Sequence, residues 1–201
     1  MASRRQQAAT DTAAKVLDVA ERLLQTRGYN GFSYADVAAE LRLTKASLHY
    51  HYASKATLGE ALIARYATRF ATALTEIDAR QIDAPAKLTA YARLYADVLR
   101  GKRMCMCGML AAEYRTLPKP MRDAVIRFFD ENEAWLTEVL VRGRKDGTLR
   151  FSGSPSETAQ MILSGLEGAM LVARPYDDTS RFQLAADRLL ENLVVAPAGR
   201  V

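Results

Sequence analysis

Small and hydrogen-bonding side chains cluster in residues 44–51, around a single apolar residue, Leu48. A step of about 100° per residue around a helix places most of these side chains away from Leu48. The outward residues are Lys45, Ala46, Ser47, His49 and Tyr50. Small and hydrogen-bonding groups suit close approach to base edges, while lysine and tyrosine suit phosphates. The segment therefore predicts a DNA-contacting surface, although two packed helices with polar outer faces would show the same pattern.

Two short helices joined by a tight turn would position this surface. Ser33 can cap a first helix, and Thr44 can cap a second helix that follows a turn at Arg42 and Leu43. This layout is a helix-turn-helix, which places its second helix in the major groove of DNA. Lys55 begins a further helix, whose free N–H groups would add a phosphate site. The complete set of predicted DNA-contacting residues is Ser33, Tyr34, Thr44, Lys45, Ala46, Ser47, His49, Tyr50, His51 and Lys55.

A different chemistry is available at Cys105 and Cys107, which flank one methionine at the start of a predicted helix. Lys102 and Arg103 precede the two thiols, and nearby cations and a helix N-terminus both lower the pKa of a thiol. A thiol with a lowered pKa reacts with electrophiles and oxidants. The alternative is that both cysteines are buried and act as small apolar residues.

Catalysis and metal binding are not expected from the remaining residues. The chain has two histidines, and both lie in the predicted DNA-contacting segment. The sequence contains neither a glycine-rich phosphate loop nor a nucleophile elbow. Residues two apart in a helix point about 200° from each other, so neither the two histidines nor the two cysteines can chelate one ion from a regular helix. We therefore expect no enzyme activity, no metal site and no cofactor.

The charge balance agrees with a polyanionic partner. The 201-residue chain has a formal net charge of +5, and residues 1–55 contain 8 Lys or Arg against 5 Asp or Glu. Arg4 and Arg5 precede the first apolar stripe, where they would form a basic arm for DNA or a solvated tail. The sequence has no stretch long and apolar enough to span a membrane, and residues 1–12 lack the apolar core of a signal peptide. With only two cysteines, we expect a cytoplasmic protein.

Apolar residues recur at helical spacing along almost the whole chain, and strand patterns are nearly absent. Glycine and proline mark the helix ends, as at Gly28, Gly101, Pro118 and Pro155. Helices after the helix-turn-helix are predicted over about 55–80, 85–101, 105–115, 119–145, 155–174 and 179–194. The sequence predicts an all-α protein, with a three-helix DNA-binding domain over residues 1–55 and a larger helical domain over residues 56–201.

Small residues interrupt the apolar stripes of the last two long helices. Glycine and alanine on a helix face let a second helix approach closely, so these stripes predict contacts between two copies of the chain, although they would also suit the core of one chain. The predicted interface residues are Ile162, Gly165, Leu166, Ala169, Ala173, Leu184 and Leu189. A twofold dimer would hold its two DNA-contacting helices about 34–36 Å apart, or a multiple of that spacing, and would bind a palindrome.

The motifs of the N-terminal third resemble those of the TetR family of transcription regulators. The resemblance rests on Gly28-Tyr29-x-Gly31-Phe32-Ser33, on Val37-Ala38, on Leu43 to Tyr52 and on Lys55-x-x-Leu58. Arg42 stands where the family commonly has glycine, so the turn cannot rely on the freedom of glycine at positive φ. Ala46, His49 and Tyr52 replace a common Gly, Tyr and Phe, and the change at His49 affects the expected base preference.

The resemblance implies a homodimeric repressor that leaves a palindromic DNA operator when a small-molecule or electrophile effector binds. It places the effector and dimer sites in residues 56–201, where aromatic, methionine and thiol side chains suit a pocket or plain core. The candidate effector-binding residues are Tyr91, Tyr95, Met104, Cys105, Cys107, Met109, Tyr114, Phe128, Trp135, Met161 and Met170. Residues 105–113 are similar to a part of the family in which a cysteine starting the sixth helix senses electrophiles. The alternative function is a helical small-molecule-binding protein without DNA-binding activity.

Overall fold

The computed structural model describes the backbone of residues 2–195 and the side chains of residues 10–195. Within that part of the chain, the regular structure consists of nine α-helices, two 3-10 helices and an isolated β-bridge between Leu149 and Val194. The α-helices are α1 (Ala2–Arg27), α2 (Tyr34–Leu41), α3 (Lys45–His51), α4 (Lys55–Ala79), α5 (Ala84–Arg100), α6 (Met106–Ala112), α7 (Lys119–Lys145), α8 (Pro155–Ala173) and α9 (Thr179–Glu191). The 3-10 helices are Tyr114–Thr116 and Arg174–Tyr176. The predicted all-α class is confirmed.

Polar caps explain where several helices begin. Ser33 precedes α2 in a capping box, in which its Oγ accepts the Asp36 N–H and the Asp36 carboxylate accepts the Ser33 N–H at 2.7 Å. Hydrogen bonds from Ser33 hold the pKa of Asp36 below its usual range. Ser154 and Glu157 form the same box at α8, and Thr44 caps α3 by accepting the N–H three residues later. These caps fix the start of each helix at the residue that the sequence predicted.

Some helix limits differ from the prediction. Because α1 begins at Ala2, Arg4 and Arg5 lie within a helix rather than in an arm before it, and their side chains lie outside the described residues. The helix predicted to continue to about residue 115 ends at Ala112, since the chain tightens into a 3-10 turn. The last helix ends at Glu191, because the chain then turns into the β-bridge.

Packing divides the chain into two units, and α4 and α7 each contribute residues to both. The first unit contains Met1–Thr68 and Cys105–Ile126, and the second unit contains Arg69–Met104 and Arg127–Val201. The helix-turn-helix therefore shares its unit with α6 and the beginning of α7, which come much later in the sequence. The boundary expected at residue 55 stays a prediction.

Each unit has its own apolar core. In the first unit, α1 packs against α2 and α6, and Leu48, Leu58 and Leu62 are completely buried. In the second unit, α5, α8 and α9 pack on one another and bury Leu88 and Leu166. Burying one such leucine stabilises a fold by roughly 1.5–3 kcal/mol. None of the helices in the described residues is long and apolar enough to cross a bilayer.

Candidate functional site

Arg42 closes the turn of the helix-turn-helix in a left-handed backbone conformation. Its φ is 55° and its ψ is 40°. The Arg42 N–H donates to the Ala39 carbonyl at 3.3 Å, and the Leu43 N–H donates to the Ala38 carbonyl at 2.9 Å. The turn therefore keeps a positive φ without the conformational freedom of glycine.

The two sides of α3 differ sharply in exposure. Leu48 is completely buried, while the Tyr50 residue is 81% exposed. The predicted contact residues Ala46 and Tyr50 lie roughly opposite Leu48, Ser47 and His49 flank them, and Lys45 is exposed at the start of the helix. Ser47 is half-buried, and His51 packs its ring edge against Tyr50 with 5.2 Å between the ring centroids. The structure thus brings four predicted DNA-contacting residues, Ala46, Ser47, His49 and Tyr50, together on one face.

The His49 ring is held at two points. It packs on the Tyr34 ring with 4.7 Å between centroids, and its Nδ1 lies 3.1 Å from the Ala53 carbonyl oxygen. A carbonyl oxygen only accepts, so this hydrogen bond requires the proton on Nδ1 and leaves Nε2 of the neutral ring as an acceptor. An acceptor on an exposed ring suits the amino group of adenine or cytosine in the major groove.

Two predicted phosphate contacts have their polar groups turned into the protein. Lys55 donates to the Phe32 carbonyl, and its Nζ lies 4.5 Å from the Tyr29 ring centroid. Burial lowers the pKa of the Lys55 ammonium. The Tyr34 hydroxyl donates to the Tyr52 carbonyl at 2.7 Å, and burial raises its pKa to about 12. These internal hydrogen bonds stabilise the helix-turn-helix. In this structure neither side chain presents its polar group to a phosphate.

A carboxylate distant in sequence holds the turn between α1 and α2. Glu113, just after α6, accepts the Tyr29 N–H at 2.6 Å and the Asn30 N–H at 3.3 Å. The Asn30 side-chain amide donates to Thr116 at 2.7 Å. Gly28 has a φ of 86°, and a Cβ there would lie only 2.8 Å from a Glu113 carboxylate oxygen. Sequence reasoning missed Glu113, since no local pattern reveals a contact across more than 80 residues.

The Cys105 thiol is enclosed at the start of α6, within the first unit. The residue is 1% exposed, and its Sγ lies 3.6 Å from the Tyr66 hydroxyl and 3.5 Å from the Gly108 N–H, both of which donate to it. Hydrogen-bond donors of this kind stabilise a thiolate relative to a thiol. Cys107 is also buried. The predicted helix start is confirmed, whereas the burial of both thiols agrees with the apolar alternative.

Aromatic rings surround a buried amide in the second unit. The Tyr91 ring stacks on Trp135 with 5.5 Å between centroids, and its hydroxyl donates to the Asn132 side-chain oxygen at 3.1 Å. The Tyr95 hydroxyl lies 3.1 Å from that of Tyr91. The cluster consists of Phe70, Tyr91, Tyr95, Phe128, Asn132 and Trp135. Phe70 and Asn132 were not predicted as pocket residues, although an asparagine within the apolar stripe of α7 is a usable signal.

The remaining predicted pocket residues are divided between the units. Cys105, Cys107, Met109 and Tyr114 belong to the first unit. Met104 and Met170 are buried residues of the second unit, whereas Met161 is 47% exposed on α8. An exposed Met161 does not line an enclosed pocket within one chain.

The small-residue stripes of α8 and α9 lie mostly inside the second unit. Ile162, Leu166 and Ala173 are buried within the single chain, and a Cβ at Gly165 would lie 2.8 Å from Leu189. Ala169 is half-buried, and Leu184 is 63% exposed. The exposed apolar and small residues of α8 are Met161, Gly168, Leu171 and Val172. A helix of a second copy would therefore contact the exposed residues of α8, such as Met161 and Leu171, rather than the buried Ile162 and Leu166.

Two family models match the chain. One, described as bacterial regulatory proteins of the tetR family, matches residues 16–62. The other, a tetracyclin repressor-like C-terminal domain, matches residues 84–189.

Several known proteins are similar along most of the chain. A TetR-family transcriptional regulator from Agrobacterium tumefaciens has 30% identity and a TM-score of 0.90, covering 93% of this chain and 100% of that chain. The HTH-type transcriptional repressor NemR of Escherichia coli is 25% identical over 94% of this chain and 96% of its own. The crystal structure of its reduced form has a TM-score of 0.82 and covers 94% of this chain and 100% of that one. The HTH-type transcriptional repressor DhaR of Mycobacterium sp. strain GP1 is 20% identical over 82% of this chain and 83% of its own.

Proposed function

Because this chain belongs to the TetR family of DNA-binding transcriptional regulators, which are not enzymes, we propose that it is a homodimeric repressor released from a palindromic operator by an electrophile or another small effector. The observation that carries the proposal is the exposed face of α3. Its polar side chains surround the buried anchor Leu48 and are placed to meet DNA.

The residues of α3 divide by chemistry into base and phosphate contacts. Ser47 and the Nε2 of His49 face base edges, where an acceptor pairs with an amino group. Lys45 and Tyr50 bind phosphates, which fix the orientation of the helix without selecting sequence. Supporting this division, His49 has a fixed ring orientation, while Tyr50 is the more exposed side chain. Affinity should then fall steeply with salt concentration.

Selection from a randomised duplex library with the full-length protein tests this assignment. We expect an inverted repeat whose half-site centres lie about 34–36 Å apart, or a multiple of that spacing. His49→Ala should remove the preference at one position in each half-site, and its unfolding temperature should fall slightly, because the ring loses its contacts with Tyr34 and the Ala53 carbonyl. A His49→Ala variant and a Tyr50→Ala variant that both bind the selected duplex as the wild type does would contradict the assignment and favour a DNA-free carrier.

The dimer is proposed to form through the exposed stripe of α8 and through Leu184 of α9. Met161, Gly168 and Leu171 follow one another at intervals of seven and three residues, which places them on one face of α8. A Cβ at Gly168 would meet nothing within 4 Å in the chain itself, so a partner helix can approach closely there. A closed twofold dimer buries the same stripe on both copies.

Gly168→Glu tests this interface with little risk to the fold. The new side chain has open space in the single chain and a better helix propensity than glycine. We expect a monomer in analytical ultracentrifugation, with unchanged helical content and much weaker operator binding. Gly168→Ala is the matched control, since its methyl group is the smallest addition at the same position. A Gly168→Glu protein that remains dimeric would place the interface elsewhere.

The effector is proposed to act at Cys105. An unsaturated aldehyde or a quinone would form a bond between its electrophilic carbon and Sγ, with the thiol proton passing to the adduct, so no separate oxidant is required. The two hydrogen-bond donors to Sγ, the Tyr66 hydroxyl and the Gly108 N–H, support this role. NemR, a similar repressor, has been solved in a form described as reduced, which supports a role for redox state in such proteins. For the repressor to leave DNA, modification of the thiol must stabilise a conformation that binds the operator weakly. An effector that binds both conformations equally well would not change their populations.

A gel shift on the selected operator, with and without N-ethylmaleimide, tests the thiol. Wild type and Cys107→Ser should lose the shift after treatment, while Cys105→Ser should keep it. Cys107→Ser is a matched control because it removes a second buried thiol of the same helix. If all three proteins keep the shift, the thiol hypothesis is wrong. The effector is then a reversible ligand, and the aromatic cluster around Tyr91 becomes the site to test.

A further inference from the structure

Arg42 adopts a backbone conformation that arginine rarely takes. With φ 55° and ψ 40°, it lies in the left-handed region, where a residue with a Cβ is strained and glycine is not. The turn is closed by backbone hydrogen bonds to Ala39 and Ala38, without help from the Arg42 side chain. The turn itself therefore does not explain why an arginine stands here.

The Arg42 side chain is also free of partners within the described part of the chain. It is exposed, and none of the ion pairs or side-chain hydrogen bonds among the described residues involves it. The acidic residues nearest in sequence serve other cations, since Glu40 pairs with Arg22 and Asp36 lies 3.9 Å from Arg27. A positive charge is therefore left unneutralised at the turn.

The position of this charge indicates what it binds. Arg42 comes two residues before the α3 cap, Thr44, and three before the exposed Lys45. In a bound helix-turn-helix, the first helix crosses the DNA backbone and the start of the second enters the major groove, so the turn between them lies at the edge of the groove. We propose that Arg42 binds a phosphate of the operator backbone, an inference that rests on the DNA-binding role proposed for α3.

The chemistry of the side chain agrees with a phosphate rather than a base. A guanidinium carries a permanent charge and a planar set of donors that match two phosphate oxygens at once. Such a contact fixes orientation and adds affinity on every sequence. Strain at a functional position persists when the surrounding structure holds it in place, and here two backbone hydrogen bonds do so. Arg42 then strengthens DNA binding while it weakens the turn.

Lys102 provides a matched comparison elsewhere in the chain. It is also an exposed cation with a φ of 55°, but it belongs to the second unit and pairs with Asp177 at 2.6 Å. Replacing Lys102 by glycine relieves the same kind of backbone strain and removes the same charge. A difference in DNA affinity between glycine variants at the two positions therefore reports on DNA contact rather than on backbone strain or net charge.

Fluorescence anisotropy with full-length dimeric protein tests the proposal over a series of salt concentrations. The probes are a duplex selected by the wild type and a scrambled duplex of the same composition. We expect Arg42→Gly to bind both duplexes roughly tenfold more weakly, because a phosphate contact is independent of sequence. The slope of log affinity against log salt should fall by about one for each lost contact. Its unfolding temperature should not fall below that of the wild type.

Three further variants complete the test. Arg42→Lys keeps the charge on the same backbone and should retain most of the salt slope, whereas Lys102→Gly should leave affinity and slope unchanged. Arg42→Asn, which tolerates the left-handed region, replaces Arg42→Gly if the glycine variant unfolds more easily. Equal affinity and slope for Arg42→Gly and wild type would overturn the role of Arg42 alone. A wild-type protein that selects no duplex would overturn the proposed function as well.

Discussion

The α3 face that we propose contacts DNA and the thiol at the start of α6 belong to the same unit, yet their polar groups differ in exposure. On α3, Lys45 and Tyr50 are exposed, while Leu48 is completely buried. At α6, Cys105 is enclosed and accepts hydrogen bonds from the Tyr66 hydroxyl and from a backbone N–H. The polar side chains of α3 are therefore free to bind a partner, whereas the Cys105 thiol already has hydrogen-bond partners within the chain.

This difference separates two kinds of substitution. Changes at Lys45 and Tyr50 on the α3 face should alter DNA affinity and leave the free energy of unfolding nearly unchanged, since exposed groups contribute little to the fold. Changes around the thiol should alter stability and reactivity together, since each group there already has a partner. Because Cys105 is only 1% exposed, its reaction with an electrophile should also accelerate in denaturant.

The largest effect is expected for Tyr50→Ala on the open face. Loss of the phosphate contact from both copies of a dimer should weaken binding to the selected duplex by roughly 30-fold or more, measured by anisotropy. The unfolding temperature should stay that of the wild type, because Tyr50 is 81% exposed. Tyr50→Phe retains the ring and separates the contribution of the hydroxyl. A large loss of stability in Tyr50→Ala would show that the exposed face of α3 contributes to the fold, as the surroundings of Cys105 do.

A smaller effect is expected for Glu113→Gln, because the Glu113 carboxylate already accepts hydrogen bonds within the chain. The charged acceptor of two backbone N–H groups becomes neutral, which should lower the free energy of unfolding by about 1.5 kcal/mol in urea titrations. Glu138→Gln is the matched control, since Glu138 forms only an exposed pair with Arg142 and should change stability little. Equal stability of the two variants would show that the turn between α1 and α2 does not depend on Glu113.

Tyr66→Phe should slow the reaction of Cys105 with N-ethylmaleimide by up to about tenfold, because the thiolate loses one hydrogen-bond donor. Rates are followed by mass spectrometry of the native protein. Tyr91→Phe is the control, since it removes a buried hydroxyl in the second unit together with its hydrogen bonds to Tyr95 and Asn132. A thiol that reacts equally fast in both variants does not use the Tyr66 hydroxyl.

The smallest effect concerns pH and the capping box of α2. Hydrogen bonds from Ser33 favour ionised Asp36 in the folded state, so its pKa is lower folded than unfolded. The resulting stabilisation is present above the unfolded pKa and disappears as the pH falls through the folded pKa. Asp36→Asn should therefore lower stability at neutral pH, and the difference from wild type should shrink in acid. A difference that stays constant across acidic pH would mean that the charge of Asp36 is irrelevant.

Local features of the sequence predicted the fold well. Ser33 and Thr44 cap the helices that they were expected to cap, and Leu48 is the buried anchor of α3, because caps and apolar spacing act within a few residues. The direction of a long side chain was harder to predict. Lys55 and Tyr34 were expected to meet phosphates, but nearby carbonyl groups and rings bind them within the fold.

Contacts between distant residues could not be predicted from one sequence. Nothing near Glu113 indicates that it binds Tyr29, and nothing near Tyr66 indicates a contact with Cys105, because both pairs depend on how helices pack. The apolar stripe of α8 is a second case in which one sequence does not reveal the partner of a surface. Periodicity identified an apolar face, but only the packing of α9 revealed that Ile162 and Leu166 lie inside the single chain.

The hydrogen bonds to Glu113 join residues that are synthesised early to residues that are synthesised much later. A ribosome that has released the first 70 residues has delivered the whole helix-turn-helix but neither Glu113 nor Met121, whose side chain packs closely over Gly59. At about 5–20 residues per second, these partners follow seconds afterwards. During that interval the nascent helices expose apolar surface that α6 later covers, so translation that stops before residue 113 would leave a fragment that chaperones and proteases recognise as incomplete.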